Sequence, residues 1–284
     1  MSYARHQTFH LRAGWLAKAI EALGNSENLR LFNRPDAAAE LGIGKNMVQA
    51  LRFWVKAAGL IEIKRNGELA LSAFGEVVRD YDPFFELDLT WWLIHAHLVS
   101  KKSEANTWYF LFNKYPGAET DRESFVDALE RYQALDNAAG ISRSSFYKDF
   151  DCIMGTYVST NKDSGTPEDN IVCPLTRLGL LDQLRNGRVR KVAPCHDIPL
   201  SVVFAVLHSA GMVRLTVSEI VEAEGNLAKT FNLSIDTIYR YLDLLKNRGL
   251  VDYSRTAGID TVVLGVVVPW EFIRSEYKLL GGSA

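Results

Sequence analysis

The chain has 284 residues, of which 48% are hydrophobic and 23% are charged, and its formal net charge is −2. This length and apolar content allow two or three domains with hydrophobic cores and argue against extensive disorder. A net charge near zero argues against a protein that coats nucleic acid non-specifically, but it permits basic groups gathered on one face.

The hydropathy pattern predicts no membrane segment. The longest apolar candidate, residues 87–99, is interrupted by Asp88, His95 and His97 and falls short of the roughly 18 residues that a membrane span requires. The first residues lack the apolar core of a signal peptide. We therefore expect a cytoplasmic protein with no membrane partner.

Cysteine is sparse, with Cys152, Cys173 and Cys195 far apart in the sequence. They lack the short spacing that structural zinc sites have. A zinc site completed by His196 or His208 is the less favoured alternative. We expect reduced, buried thiols and neither a metal nor a cofactor.

A short repeat organises the chain. A glycine followed by leucine, a second aliphatic residue and an acid begins at Gly59, Gly179 and Gly249. Glycine ends helices, aliphatic runs begin strands, and the Asn-Gly or Gly-Ile-Asp that follows suits a hairpin turn. Such a step is typical of a helix-turn-helix that leads into a β-hairpin wing. The repeat predicts a mainly α fold with small β-wings, in which two or three winged helix-turn-helix units are joined by a helical segment.

The first unit, an N-terminal winged helix, is expected over residues 1–82. Its apolar periodicity and turn residues predict every element of that architecture. These elements are helices over 11–23, 36–41 and 44–58, strands over 60–64 and 69–72, and a further helix over 73–81.

The third predicted helix of this unit is amphipathic. Met47, Leu51 and Val55 share one face, which should be buried. The opposite face carries side chains that reach phosphates and major-groove base edges, although a solvated face needs polar residues as well. The DNA-binding candidates of this unit are Lys45, Asn46, Gln49, Arg52 and Lys56 on the helix and Arg65 in the hairpin.

An aromatic-rich helical connector is expected over residues 83–117. Trp91, Trp92 and Trp108 recur at helical spacing. This arrangement favours packing within a core or between domains over stacking on bases, which is commoner on a sheet.

A middle helical or winged-helix-like unit is expected over residues 118–193. Its helix-turn-helix is weaker, because a polar stretch separates the helix after Ser142 from the Gly179 step. The pair Asn186-Gly187 predicts a two-residue hairpin turn with basic residues on both arms, and an ordinary exposed hairpin is the alternative. The DNA-binding candidates of this unit are Arg143, Lys148, Arg185, Arg188, Arg190 and Lys191.

A C-terminal winged helix is expected over residues 194–284. Thr216 and Glu219 have the spacing of a capping box. Asn232 aligns with Gly42 at the tight turn, where both residue types tolerate a left-handed backbone. The apolar face of the helix that follows comprises Ile235, Ile238, Leu242 and Leu245. The DNA-binding candidates of this unit are Thr237, Arg240, Lys246 and Arg255.

Three segments carry a family resemblance. They are His6-Gln7-Thr8-Phe9, then Trp91-Trp92 with His95 and His97, and a run from Asp169 through Cys173-Pro174-Leu175 to Gly179-Leu180. Together they resemble an uncharacterised bacterial domain-of-unknown-function family. Its members are encoded near DNA phosphorothioation and phosphoadenosine-phosphosulfate-reductase-like genes in defence islands. The resemblance implies work on DNA modification or its readout.

This chain departs from the N-terminal motif of that family at two positions. Arg5 stands where the family usually has glycine, and Gln7 stands where it usually has glutamate. If that acid carries chemistry in the family, this chain has lost it. We interpret the motif as structural, holding the N-terminus over the first core.

The sequence shows no catalytic motif. It lacks a Gly-x-x-x-x-Gly-Lys phosphate loop, a Gly-x-Ser-x-Gly elbow and a His-Glu-x-x-His helix. His95 and His97 lie two residues apart, so on a helix they point away from each other and cannot share a ligand. Glu62, Lys64 and Glu68 imitate a nuclease cluster, but hairpin strands are normally charged. We therefore expect no catalytic residue.

These observations favour a non-enzymatic protein that binds double-stranded DNA through winged helices and serves a DNA modification or antiviral defence system. A protein-protein adaptor for a modification or restriction enzyme is the second hypothesis, because winged helices also bind proteins and the chain is near neutral. A transcriptional regulator is the third. The DNA hypothesis requires the basic side chains to converge on one electropositive surface.

Overall fold

The computed structural model describes residues 3–12, 14–24, 30–135, 140–158, 172–256 and 259–281. Within these residues the chain is mostly helical and carries three small antiparallel sheets. The predicted mainly α fold with small β elements is therefore confirmed at this level.

The N-terminal part ends its helices where the sequence predicts tight turns. Gly42 follows the second helix with a φ of 63°, the left-handed backbone that glycine adopts without strain. Ser72 begins the last helix of this part, since its hydroxyl accepts a hydrogen bond from the Gly75 N–H at 3.0 Å. The elements are α1 (Trp15–Gly24), α2 (Ala37–Leu41), α3 (Lys45–Ala57), β1 (Ile61–Ile63), β2 (Leu69–Leu71) and α4 (Ala73–Tyr81).

The aromatic-rich segment is helical and lies in the core. It forms α5 (Asp88–Ser100), α6 (Asn106–Tyr109) and a π-helical turn over Phe110–Lys114. Trp91, Trp92 and Trp108 are buried, which confirms that these aromatic side chains pack inside the protein.

His95 on α5 joins three parts of the chain. One ring nitrogen, Nε2, lies 2.7 Å from the Thr230 carbonyl oxygen, and the other, Nδ1, lies 2.7 Å from the Tyr157 hydroxyl. Because a carbonyl can only accept, Nε2 carries the proton and Nδ1 accepts from the tyrosine. Burial lowers the pKa of His95 to about 4, so the ring is neutral at physiological pH.

The middle part combines helices with a three-stranded sheet. A short strand ahead of the helices pairs with the last strand, as Glu119 opposes Arg190, giving the strand order β3-β5-β4. The elements are β3 (Glu119–Thr120), α7 (Arg122–Leu135), α8 (Arg143–Tyr157), a 3₁₀ turn (Pro174–Leu178), β4 (Leu181–Gln183) and β5 (Val189–Lys191).

The C-terminal part repeats that plan with longer strands. Its sheet has the order β6-β8-β7, so the strand ahead of these short helices again pairs with the last strand. The elements are α9 (Leu200–Ser209), β6 (Arg214–Thr216), α10 (Val217–Glu222), α11 (Leu227–Phe231), α12 (Ile235–Asn247), β7 (Val251–Thr256), β8 (Ile259–Leu264) and α13 (Pro269–Gly281).

The local predictions for this part hold with one exception. Thr216 and Glu219 form the reciprocal capping box at the start of α10. Asn232 ends α11 in the left-handed conformation, with a φ of 54°. Ile238, Leu242 and Leu245 are buried. Ile235 is half exposed, because it is the first residue of α12 and lies at the end of the helix.

The first two hairpins share one turn geometry, which corrects a prediction. The Gly187 N–H donates to the Leu184 carbonyl at 3.0 Å, and Gly67 donates to Lys64 at 2.9 Å. Only the glycine of each turn has a positive φ, near 80°, whereas a two-residue Asn-Gly turn requires positive φ at both central residues. Each turn therefore places Arg-Asn at its centre and glycine in the bulge that follows.

One core runs through the predicted domain boundaries. Buried apolar side chains form a cluster from Leu11 to Tyr277. Cys152 and Cys173 are buried as expected, but Cys195 is exposed, which corrects the prediction for that thiol. Among the described residues, no helix combines the length and apolar character needed to cross a membrane.

Candidate nucleic-acid interface

The exposed face of α3 carries the candidates of the first predicted unit. Of the predicted inward face, Leu51 and Val55 are buried and Met47 is half-buried, so the opposite face is turned to solvent as the periodicity predicts. Lys45, Asn46 and Gln49 are exposed and lie within the first five residues of the helix. Their side chains make no contact with an acid in the described part of the chain.

The two candidates at the other end of α3 have partners. The guanidinium of Arg52 donates to the Asn33 amide oxygen at 2.9 Å. The ammonium of Lys56 lies 2.8 Å from a Glu104 carboxylate oxygen. The positive charge of the face is therefore neutralised by an acid at its Lys56 end but not, among the described residues, at its Lys45 end.

The tips of the first two hairpins each present an arginine. Arg65 and Arg185 occupy the same position in two turns of equal geometry, and both are exposed. The amide oxygen of Asn66 accepts from the Glu68 N–H, and that of Asn186 accepts from the Arg188 N–H, each at 3.1 Å. These contacts hold the two turns in shape, and neither arginine has an acidic partner within the described ranges.

The arms of the middle hairpin differ from its tip. Arg188 lies 3.4 Å from Glu119, and Arg190 lies 3.1 Å from Asp182. The Lys191 ammonium is turned inward and donates to the Tyr115 carbonyl at 2.9 Å. Burial lowers the pKa of Lys191 to about 8, with a smaller effect from Lys229. Among the described residues, the tip of this basic segment is the part that offers a cation without an acidic partner.

Arg143 on α8 lies among acids of α7. Its guanidinium bonds Asp127 at 2.6 Å and Glu123 at 3.3 Å, and it also bonds Glu130. Hydrogen bonding to Asp127 is the main reason that its pKa is raised above the usual arginine value. Lys148, by contrast, is exposed and has no partner in the described parts of the chain.

The candidates of the C-terminal part are also engaged. Arg240 lies 2.8 Å from Asp197, and Lys246 lies 2.9 Å from Asp252. The Thr237 hydroxyl lies 3.0 Å from that of Ser234, which caps α12. The side chain of Arg255 falls outside the described residues.

The N-terminal motif is held by a buried polar pair. His6 is buried, and its Nε2 lies 2.8 Å from Asp149 on α8. The same carboxylate accepts from the Ala4 N–H at 2.8 Å and from the Thr107 hydroxyl at 2.5 Å. The motif is thus anchored to the middle part of the chain as well as to the first core.

Two residues of this motif reach the α3 face, which the sequence did not predict. Arg5 and Gln7 are exposed and line a cleft together with Gln49, Arg52 and Lys56. The departures from the family motif at Arg5 and Gln7 were the sequence feature that could have pointed to these residues. Nothing in their spacing indicates that the N-terminus crosses α3. Of the third resembling segment, Asp169 lies outside the described residues, whereas Cys173, Leu175 and Leu178 are buried.

A metal site was not predicted, and the described residues contain no group of three or more His, Cys, Asp or Glu side chains placed to hold an ion. Six of the candidate cations are instead paired with acids of this chain, namely Lys56, Arg143, Arg188, Arg190, Arg240 and Lys246. The chemistry of the α3 face is therefore that of cations and amides, which recognise phosphates and base edges.

Comparisons with known proteins identify the family and the fold. The family described as “Protein of unknown function (DUF4007)” matches residues 3–277, and the chain therefore belongs to it. A magnesium ion-bound SspB crystal structure has the same fold, with a TM-score of 0.86 and 24% identity over 99% of this chain and 88% of that one. An SspB crystal structure matches with a TM-score of 0.85 and the same identity and coverage. No curated protein matches.

Proposed function

For this member of the DUF4007 family, we propose that the chain binds double-stranded DNA through winged-helix units and serves a DNA modification or defence system. The observation that carries the proposal is the exposed α3 face of Lys45, Asn46 and Gln49, followed along the chain by the unpaired Arg65 hairpin tip. A helix for the groove and a basic wing for the backbone are what such a unit uses to bind a duplex.

The order of the strands supports the winged-helix proposal. In the middle and C-terminal parts, a strand ahead of the helices pairs with the last strand of the following hairpin. Short helices beside a small sheet of this order are what a winged helix has, and this supports the proposal for these two parts. In this proposal the Arg-Asn tips of the first two hairpins act as the wings, and Arg65 and Arg185 are their cations, which have no acidic partner among the described residues.

The first prediction tests this surface directly. Lys45→Ala combined with Arg65→Ala should weaken binding of a blunt duplex and reduce the slope of log affinity against log salt by about two, because each lost phosphate contact removes about 0.9 from that slope. Fluorescence anisotropy at several salt concentrations measures both quantities. Lys246→Ala is the matched control, since that ammonium is already paired with Asp252.

The outcomes separate the candidate functions. Equal affinity and equal slope for the parent and the double variant would exclude this binding surface. Absence of any salt-sensitive DNA binding would favour the adaptor hypothesis, which has its own support in the exposed apolar residues Val213 and Val266–Val268. Because an SspB of the same fold binds magnesium, the titration is repeated with Mg²⁺ and the DNA is inspected for strand breaks. Intact DNA is the expected result for a non-enzymatic protein.

A further inference from the structure

The cleft between the N-terminal motif and α3 has the size and lining of a ligand site. Its volume is about 330 Å³, at the lower end of the range for small-molecule pockets. It is bordered by the N-terminal turn, by α3, by Ile63 at the end of β1 and by Glu104 ahead of α6. A duplex cannot enter a space of this size, whereas one nucleotide can.

The backbone of the motif is strained where it borders the cleft. Ala4, Gln7 and Thr8 have φ values of 52°, 51° and 67°, a region that residues with a Cβ rarely adopt. The buried pair of His6 and Asp149 holds this conformation, because it also fixes the Ala4 N–H. Strain of this kind persists where a fold must place particular side chains, and here it places Arg5 and Gln7 at the cleft.

The charged part of the lining suits a phosphate group. Three cations, Arg5, Arg52 and Lys56, face a single carboxylate, Glu104, which lies 2.8 Å from Lys56. Arg5 has no acidic partner in the described part of the chain, and Arg52 bonds only a neutral amide. A guanidinium group can bind two oxygens of one phosphate. The excess positive charge on Arg5 and Arg52 therefore suits the phosphate of a nucleotide.

The remaining lining suits a base. Gln7 and Gln49 are exposed, and their amides make no hydrogen bond within the described ranges. Each amide offers a donor and an acceptor, as the edge of a base requires. Phe53 and the exposed Ile63 provide the apolar part of the wall, and aromatic side chains are the usual partners of unstacked bases.

We propose that this cleft binds a single unpaired deoxynucleotide, with its phosphate on Arg5 and Arg52 and its base on Gln7, Gln49 and Phe53. The proposal rests on DNA binding and deepens it. Lys45, Asn46 and the Arg65 tip hold the duplex, while Gln49 and Arg52 face the cleft, which takes one nucleotide that is extruded from the duplex or lies at its unpaired end. The recognised substrate is therefore DNA with a local break in pairing.

The test compares two duplexes of equal length, one blunt and one with a single 5′-phosphorylated unpaired nucleotide. The protein should bind the second about tenfold more tightly, in line with the stacking of one base on an aromatic wall. Gln7→Glu and Arg5→Gly should bring this ratio close to one, because the first adds a repulsive carboxylate and the second removes the unpaired cation. Circular dichroism melting confirms that both variants fold.

Two controls make the test specific. Arg185→Ala, at a hairpin tip that does not line the cleft, should weaken both duplexes equally and leave the ratio unchanged. An abasic unpaired nucleotide should lose most of the preference. If it binds as well as the natural one, or if the Gln7→Glu ratio equals that of the parent, the cleft does not hold a base and the proposal is overturned. Blunt-duplex binding without any preference overturns only this inference, whereas no binding of either duplex overturns the proposed function as well.

Discussion

Arg143 shows how a partner on another helix changes the role of a basic residue. The sequence made it a DNA-binding candidate because it lies at the start of a predicted helix beside other polar residues. Its partners Glu123, Asp127 and Glu130 are spaced three and four residues apart, so they form one stripe of α7. The stripe is visible in the sequence, but the packing of α8 against it is not.

His95 gives a residue-scale prediction for stability. Burial lowers its pKa in the folded state to about 4, below the ordinary value of 6.5. The unfolded chain therefore binds a proton that the folded chain does not, and stability falls as the pH drops from about 6.5 to 4. The loss from this one group is about 3 kcal/mol, at roughly 1.4 kcal/mol for each pKa unit. Urea unfolding between neutral pH and pH 4 measures the combined loss from all groups that titrate in this range.

The His95→Gln variant isolates this contribution. Glutamine keeps a donor for the Thr230 carbonyl and does not titrate, so its unfolding free energy should fall less steeply below pH 6.5. His97→Gln measures the contribution of the second histidine, because burial lowers the pKa of His97 to about 4 as well. A His95→Gln curve parallel to that of the parent across this range would show that His95 is not the group responsible.

The hairpins show a constraint that acts on whole elements. After the Gly59 step the Leu60 carbonyl accepts from the Ser72 N–H at 3.0 Å, and after the Gly249 step the Leu250 carbonyl accepts from the Gly265 N–H at 2.8 Å. A Cβ placed on Gly75 would lie 2.1 Å from the Leu60 oxygen, and one on Gly265 would lie 2.7 Å from the Leu250 oxygen. The first and last copies of the step are thus each matched by a downstream glycine, and a side chain at that glycine would collide with the leucine carbonyl.

Gly75 supplies the element-scale prediction. Alanine is normally the better residue inside a helix, yet Gly75→Ala should destabilise the protein by about 1–3 kcal/mol, because α4 must move away from the backbone at Leu60. Gly24→Ala is the matched control, since its nearest neighbour outside the helix backbone, on Arg79, lies at an ordinary 3.7 Å. Thermal unfolding followed by circular dichroism compares the two. A Gly75→Ala protein as stable as the control would contradict the close approach.

At the scale of the molecule, local signals predicted the elements better than their assembly. The sequence predicted the turns at Gly42 and Asn232 and the capping box of Thr216 and Glu219, because turns and caps depend on a few neighbouring residues. The exposed face of α3 was also predicted, since the helical period alone separates its exposed residues from its buried ones. Contacts between distant segments were not, because the pairing of Arg240 with Asp197, or of His6 with Asp149, is set by tertiary packing.

The same tertiary contacts tie the predicted units together. His95 links the connector to Tyr157 in the middle part and to Thr230 in the C-terminal part. The Asn232 side chain at the turn after α11 donates to the Leu180 and Val192 carbonyls of the middle hairpin, both at 3.0 Å. Polar bonds at these junctions, added to the continuous core, make separate unfolding of the parts unfavourable.

Asn232→Gly tests this coupling without disturbing the turn. Glycine adopts the left-handed backbone of Asn232 freely, so the variant loses only the two bonds to the middle hairpin, at a cost of about 1–3 kcal/mol. We expect tryptophan fluorescence and far-ultraviolet circular dichroism to report one coincident urea transition in the parent, and the same single transition at lower urea in the variant. Gly42→Asn, at the aligned turn of the first part, is the control, because it keeps a residue that tolerates this backbone. Two separate transitions in the parent would mean that the parts unfold independently, and the junction contacts would then not couple them.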